Sequence, residues 1–168
     1  KTGELWDGFL FGSQEQITPR GQIESSARLF DQGTILMAIY GSPTVGRMGI
    51  LTRRGSCNQA ALGLVANGSL ISQTYLYFVL FSLREHFNSL AQGAAQQNIS
   101  KEKVASALAV LPPRQMIKSF DAVVDPVFAQ LKTLQNQIQN LRATRDALLP
   151  RLLSGQIEVS GDHQTGAL

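Results

Sequence analysis

The stretch IKSFDAVVDPVFAQLKTLQNQIQNLRATRDALLPRL, residues 117–152, decides the architecture. Its periodic positions are Ile117, Phe120, Val124, Val127, Leu131, Leu134, Ile138, Leu141, Arg145, Leu148 and Leu152. They advance in alternating steps of three and four, the a/d pattern of a heptad repeat, and Arg145 alone breaks the apolar series. A stripe of two residues in seven is too narrow to build a globular core, so such a helix requires another helix. The flanking Gln130, Gln135, Gln137, Arg142 and Arg151 are neutral or basic and set few ion pairs with a like partner. Asp125-Pro126 interrupts the run, because proline lacks an amide hydrogen and disfavours helix in the residue before it. The pattern predicts a short helix to about Val124, a kink or restart near 125–126, and a long helix to about Leu153. The competing reading is a terminal helix folded back on its own domain.

Upstream the character of the chain changes. No glycine lies between Gly93 and Gly155, whereas residues 1–112 are rich in glycine and turn signals. Thr34–Tyr40 (TILMAIY) reads as a buried strand, entered from Asp31-Gln32-Gly33 and left through Gly41-Ser42-Pro43. Arg47–Thr52 and Ala60–Ala66 read as further strands, and Ala107–Leu111 as another before Pro112-Pro113. Between them Ile71, Tyr75, Phe78, Val79, Leu83, Phe87 and Leu90 recur at helical spacing, with Ser69 or Ser72 as cap. The expected class is α+β: a small mixed domain over 1–112, a helical region over 113–155, and a loose polar tail over 156–168.

Composition narrows the chemistry. Charged residues make up 16 % of the 168-residue chain, against roughly 25 % in an average soluble domain. Polarity comes from amides instead, with 16 Gln and six Asn. The net charge of +3 permits nucleic acid as a partner without arguing for it. Cys57 stands alone and so excludes an internal disulfide framework, and with His86 and His163 it cannot assemble a zinc cluster. The longest apolar run, near Tyr75–Phe81, is far short of the roughly 20 residues that span a bilayer. The expectation is a cytoplasmic protein with no membrane partner.

Three catalytic readings fail on inspection. Gly41-Ser-Pro-Thr-Val-Gly46 has the glycine spacing of a phosphate-binding loop, but Arg47-Met48 stand where that loop needs Lys and a hydroxyl. Pro43 also removes an amide hydrogen, and a strand follows where the loop needs a helix, so the glycines read as a hairpin. Cys57 has no base near it in sequence. Asp7, Glu15 and Glu24 are scattered among turn residues rather than set as an acid/base pair.

Binding leaves more trace. Arg20, Arg28, Arg47, Arg53 and Arg54 fall within residues 16–54, opposed there only by Glu24 and Asp31. Arginine's forked donors suit phosphates and guanine edges, and amides suit adenine. Gln92, Gln96, Gln97, Asn98, Ser100, Lys101 and Lys103 form a second, amide-rich cluster.

These pieces together resemble the specificity subunit of type I restriction-modification systems. The resemblance is carried by ITPRGQIESSARLFDQGTILMAIYGSPTVGRMGIL at 17–51, CNQAALGLV at 57–65, YLYFVLFSL at 75–83, GAAQQNIS at 93–100 and LPPRQ at 111–115. It closes on LRATRDALLPRLLSGQIEV at 141–159. It implies a DNA-binding target-recognition domain followed by a conserved coiled-coil helix, in a subunit without catalytic activity. In that family one subunit usually carries two such units; their helices pack antiparallel and each domain reads half of a bipartite double-stranded DNA target. The helices also dock methyltransferase subunits, which use S-adenosylmethionine, and restriction subunits, which use ATP and Mg; this chain itself would hold no cofactor. Family domains normally open with several dozen residues before the region matching Ile17, so the domain is expected to lack its N-terminal part. Arg114 also replaces an acidic residue common before the Gln of LPPRQ.

By side-chain type and loop placement, the expected DNA-contacting residues are Arg20, Ser42, Arg47, Gln96, Gln97, Asn98 and Lys101. The expected helix-pairing residues are Val127, Leu131, Leu134, Ile138, Leu141, Leu148 and Leu152, facing a second helical region of one parent subunit or a homodimer partner. A coiled-coil interaction module without DNA binding is the alternative.

Overall fold

Apolar strands that are buried from end to end require a layer on each face, and the fold supplies two. The computed structural model describes residues 1–41, 44–92 and 98–157. They fall into two compact units, Lys1–Lys132 and Thr133–Leu168. In the first unit, strands β1 (Gly8–Leu10), β3 (Ile35–Ala38), β4 (Met48–Leu51) and β6 (Ala61–Leu64) form one sheet in the order β1-β4-β3-β6. β3 runs antiparallel to both neighbours, whereas β1 joins β4 in parallel. β2 (Leu29–Phe30) and β5 (Gly55–Ser56) make a separate antiparallel pair. α1 (Pro19–Ile23) is a single turn capped by Thr18.

All four residues of β3 and of β4 are buried. Successive strand side chains alternate faces. Ile35, Met37, Met48 and Ile50 join the main core with Tyr77, Leu80, Phe87 and Ile99. Leu36, Ala38 and Leu51 join a second cluster with Leu5, against which Leu10, Phe30 and Cys57 pack. On that second face Leu36 is paired with Gly49 on one side and Gly63 on the other. A Cβ at Gly49 would lie 2.6 Å from Leu10 Cδ1, and one at Gly63 would overlap the Phe30 ring. The two glycines let a side-chain layer lie flat on the sheet.

Three expectations change. The single helix anticipated over 71–90 is two, α2 (Gln73–Ser82) and α3 (Arg84–Gln92), separated at Leu83. The break places Arg84 where its guanidinium reaches Gly46 C=O and Asp7. Residues 107–111 form no strand; Leu108, Val110 and Leu111 are exposed, and Val110 C=O accepts from Tyr75 Oη–H instead. α4 (Lys101–Ala105) precedes this segment, capped by Ser100. Finally, α5 runs from Arg114 to Leu153 through Asp125-Pro126 without a restart. Pro126 forgoes one helix hydrogen bond, but flanking contacts fix the backbone there. Asp121 accepts from Ser72 Oγ at 2.7 Å and Asp125 from Thr74 Oγ1 at 2.6 Å.

The heptad stripe is not used uniformly. Within the first unit Ile117 is buried, the Phe120 ring meets Tyr75 and Phe78, and the next aromatic contact comes from Phe128. Its ring lies 5.8 Å from Phe9, 5.3 Å from Tyr77 and 5.3 Å from Phe78. The path 117–120–124–128 follows the 3.6-residue period of a straight helix rather than the 3.5 of a supercoil. Val127, in heptad register, is 62 % exposed. The opening of α5 therefore folds back on its own domain. In the second unit Leu134, Ile138, Leu141, Leu148 and Leu152 are exposed.

Candidate nucleic-acid interface

Antiparallel pairing of β3 with β4 and β6, and parallel pairing of β1 with β4, bring four chain segments to one end of the sheet. They are the entry to β1, the β3–β4 turn, the entry to β6 and the segment at Asn98. The β3–β4 turn is built by its glycines. Gly41 and Gly46 have φ of 83° and 79°, a region costly for residues with a Cβ. Thr44 Oγ1 donates to Tyr40 C=O at 3.0 Å and Gly41 C=O at 2.8 Å, and Gly46 N–H returns to Ala38 C=O at 2.9 Å. The glycine spacing serves this turn.

Arg47 follows the turn directly. Its guanidinium lies 5.7 Å from the Trp6 ring centroid, and among the described residues it makes no ion pair. Asn98 bridges Tyr40 across the sheet end, and its Oδ1 accepts from Gly41 N–H at 3.3 Å. Asn98 is thus tied to the turn and holds it. Tyr40 is 41 % exposed, and Asn58 and Gln59 are exposed where the chain enters β6. Lys101 is exposed in the first turn of α4. Arg20 lies on α1, where its Nε donates to Glu24 at 2.8 Å. Ser42, Gln96 and Gln97 lie outside the described residues.

The loop arginines do not form one patch. Arg47 stands at the end just described. Arg53 and Arg54 follow β4 at the opposite end, with Arg54 paired to Asp31 at 2.9 Å, and Arg28 lies 5.7 Å from the Phe30 ring centroid. That opposite end also holds a cavity of about 260 Å³ lined by Ser72, Arg114, Lys118 and Asp121. Trp6, Asn58 and Gln59 carry no sequence signal, because β1 is too short to announce itself and β6's entry shows no periodicity; Tyr40, expected at the end of a buried strand, lies beyond β3, which ends at Ala38, and is exposed.

Beneath Trp6 lies a polar clamp. Asp7 takes a left-handed backbone (φ 60°). Its N–H donates to Met48 C=O at 2.8 Å, and its Oδ1 accepts from Met48 N–H at 3.0 Å. Both Asp7 oxygens also accept from Arg84, Oδ2 at 3.0 Å. Burial, reinforced by the Asp7 charge, pushes the Tyr77 hydroxyl up to about 12. Burial likewise raises the Cys57 thiol above its ordinary range, which suits a structural residue rather than a nucleophile. Among the described residues no cluster of His, Cys, Asp or Glu could hold a metal ion, and no helix is long and apolar enough to cross a membrane.

No family model matches the chain. It is 28 % identical over 100 residues to the type I restriction enzyme MjaIX specificity subunit of Methanocaldococcus jannaschii, covering 58 % of this chain and 23 % of that protein. It is 32 % identical over 119 residues to the type I restriction enzyme HindI specificity subunit of Haemophilus influenzae, covering 68 % of this chain and 25 % of that protein. A solved structure, described as the structural basis of complex assembly and conformational transition of the type I R-M system, contains a chain of similar fold. The TM-score is 0.56 at 16 % identity, over 88 % of this chain and 34 % of that one. The chain thus spans about a quarter of the length of these curated relatives. By sequence, the chain belongs to the family of type I restriction enzyme specificity subunits.

Proposed function

We propose that this chain is a DNA-recognition segment with no catalytic role of its own, reading one half of a bipartite duplex target. The observation that carries the reading is the convergence of Arg47, the Asn98-held turn and exposed amides at one end of the sheet, in a relative of specificity subunits. Arginine supplies forked donors for phosphate or guanine, and Gln and Asn reach adenine. Arg20, Ser42, Gln96, Gln97 and Lys101 belong to the same proposed contact set. The exposed heptad residues of α5 pair with a second helical region, or with another copy, and dock methyltransferase and restriction subunits. S-adenosylmethionine, ATP and Mg belong to those partners.

The test is fluorescence anisotropy of labelled duplexes titrated with the chain at several salt concentrations, with and without a methyltransferase subunit. With two to four phosphate contacts, log K should fall with log salt at a slope of roughly −2 to −4. Alanine at Arg47 or Asn98 should weaken binding or relax target preference. Unchanged affinity and preference in both variants would overturn the site. A chain that pairs through its heptads but never binds duplex DNA would instead be an interaction module.

A further inference from the structure

We propose that Trp6 is itself a duplex-contacting residue, presenting an apolar indole face to the DNA beside the Arg47 guanidinium. This rests on the DNA-recognition reading above and adds to it a residue and a kind of contact. Trp6 is the chain's single tryptophan and is 74 % exposed. Isolated exposed aromatics are ordinary; this one is held out by its neighbours. Leu5 is buried in the second core cluster, and Asp7 is fastened to Met48 and Arg84 in a left-handed backbone conformation that non-glycine residues seldom adopt. Between two such anchors the chain can place residue 6 only on the surface.

The surroundings fit a polyanion. Arg47 stacks 5.7 Å from the indole centroid, which stiffens a side chain that would otherwise lose rotamer freedom on binding. Arg84 lies behind it, 4.7 Å from the Phe81 ring centroid. The nearby carboxylate, Asp7, is neutralised by Arg84. A guanidinium and an indole side by side can grip a phosphate or base edge while packing on deoxyribose or a thymine methyl.

The sole tryptophan makes the test direct. The intact chain is titrated at low salt with a random-sequence duplex pool, and indole emission and the anisotropy of a labelled duplex are followed in parallel. The expected result is a change in indole emission that tracks anisotropy with the same midpoint, and a loss of about tenfold in affinity for W6A at unchanged Tm. W6F should retain most of the affinity. Binding by anisotropy with unchanged emission and full W6A affinity overturns this inference and leaves the recognition reading standing. No anisotropy change overturns that reading and this inference with it. Emission that shifts with protein concentration in the absence of DNA identifies a second copy as the occupant and overturns the inference alone.

Discussion

Truncating Phe128 tests how the opening of α5 is held to the domain. Its ring makes three aromatic contacts, edge-on to Phe9 and Tyr77 and tilted to Phe78, at 5.8, 5.3 and 5.3 Å. At the low end of about 0.5 kcal/mol each, these contribute about 1.5 kcal/mol beyond burial. Phe128 is half-buried, so half of the roughly 3 kcal/mol for removing a core phenyl adds about 1.5 kcal/mol. F128A should therefore lose about 3 kcal/mol, and F128L, which keeps most of the apolar volume, about 1–1.5 kcal/mol. The control is V127A, one residue away and in heptad register but 62 % exposed, which should cost under about 0.5 kcal/mol. Urea unfolding followed by circular dichroism measures all three. A loss below about 1 kcal/mol for F128A, or a larger loss for V127A than for F128A, would refute the straight-helix register and restore the heptad face as the packing face.

Other expectations follow from the second core cluster and the buried hydroxyl. G63A drives a methyl into the Phe30 ring and should cost about 1–3 kcal/mol in the same denaturation assay. Tyr77 holds its proton to about 12 when folded but to about 10 when unfolded. Its contribution is therefore complete below pH 10 and is lost as pH rises from 10 towards 12. Thermal melts across that range should fall more steeply for the native chain than for Y77F, and parallel curves would refute the assignment. Cys57, its thiol raised by burial, should alkylate at neutral pH more slowly in the native chain than in urea; equal rates would show an open thiol.

What could be read from residues alone follows the range of the interactions involved. β3 was visible because six consecutive apolar residues, 35–40, bounded by turn residues leave little else for that stretch to be. The β3–β4 hairpin was visible because glycine adopts the left-handed backbone at 41 and 46 at least cost. β1 was invisible: it is three residues long, and its partner lies 41 positions away. The break at Leu83 depends on Arg84 finding Asp7 across 77 residues, which no local period encodes. Residues 107–111 looked like strand by composition, yet no neighbouring strand pairs with them among the described residues. The loop arginines form a cluster in sequence and scatter in space, because hairpins send residues a few positions apart to opposite ends of a sheet. Arg47 survived that sorting, and its companions Trp6 and Tyr40 were recruited by topology.

The parallel pairing of β1 with β4 has a consequence for the order of assembly. β4, β3 and β6 are consecutive in space, and their pairings close shorter loops than the joining of Gly8 to Gly49, which closes a loop of about forty residues. Long-range strand pairing is slow, and its entropy cost precedes its reward. The three antiparallel strands, with β3 at their centre, are therefore expected to form first and the edge strand to dock last, cinched by Asp7 onto Met48 and Arg84. In native-state hydrogen exchange, β1 amides should open at lower free energy than those of β3. The surface that carries Trp6 would then be completed only at the final step of folding.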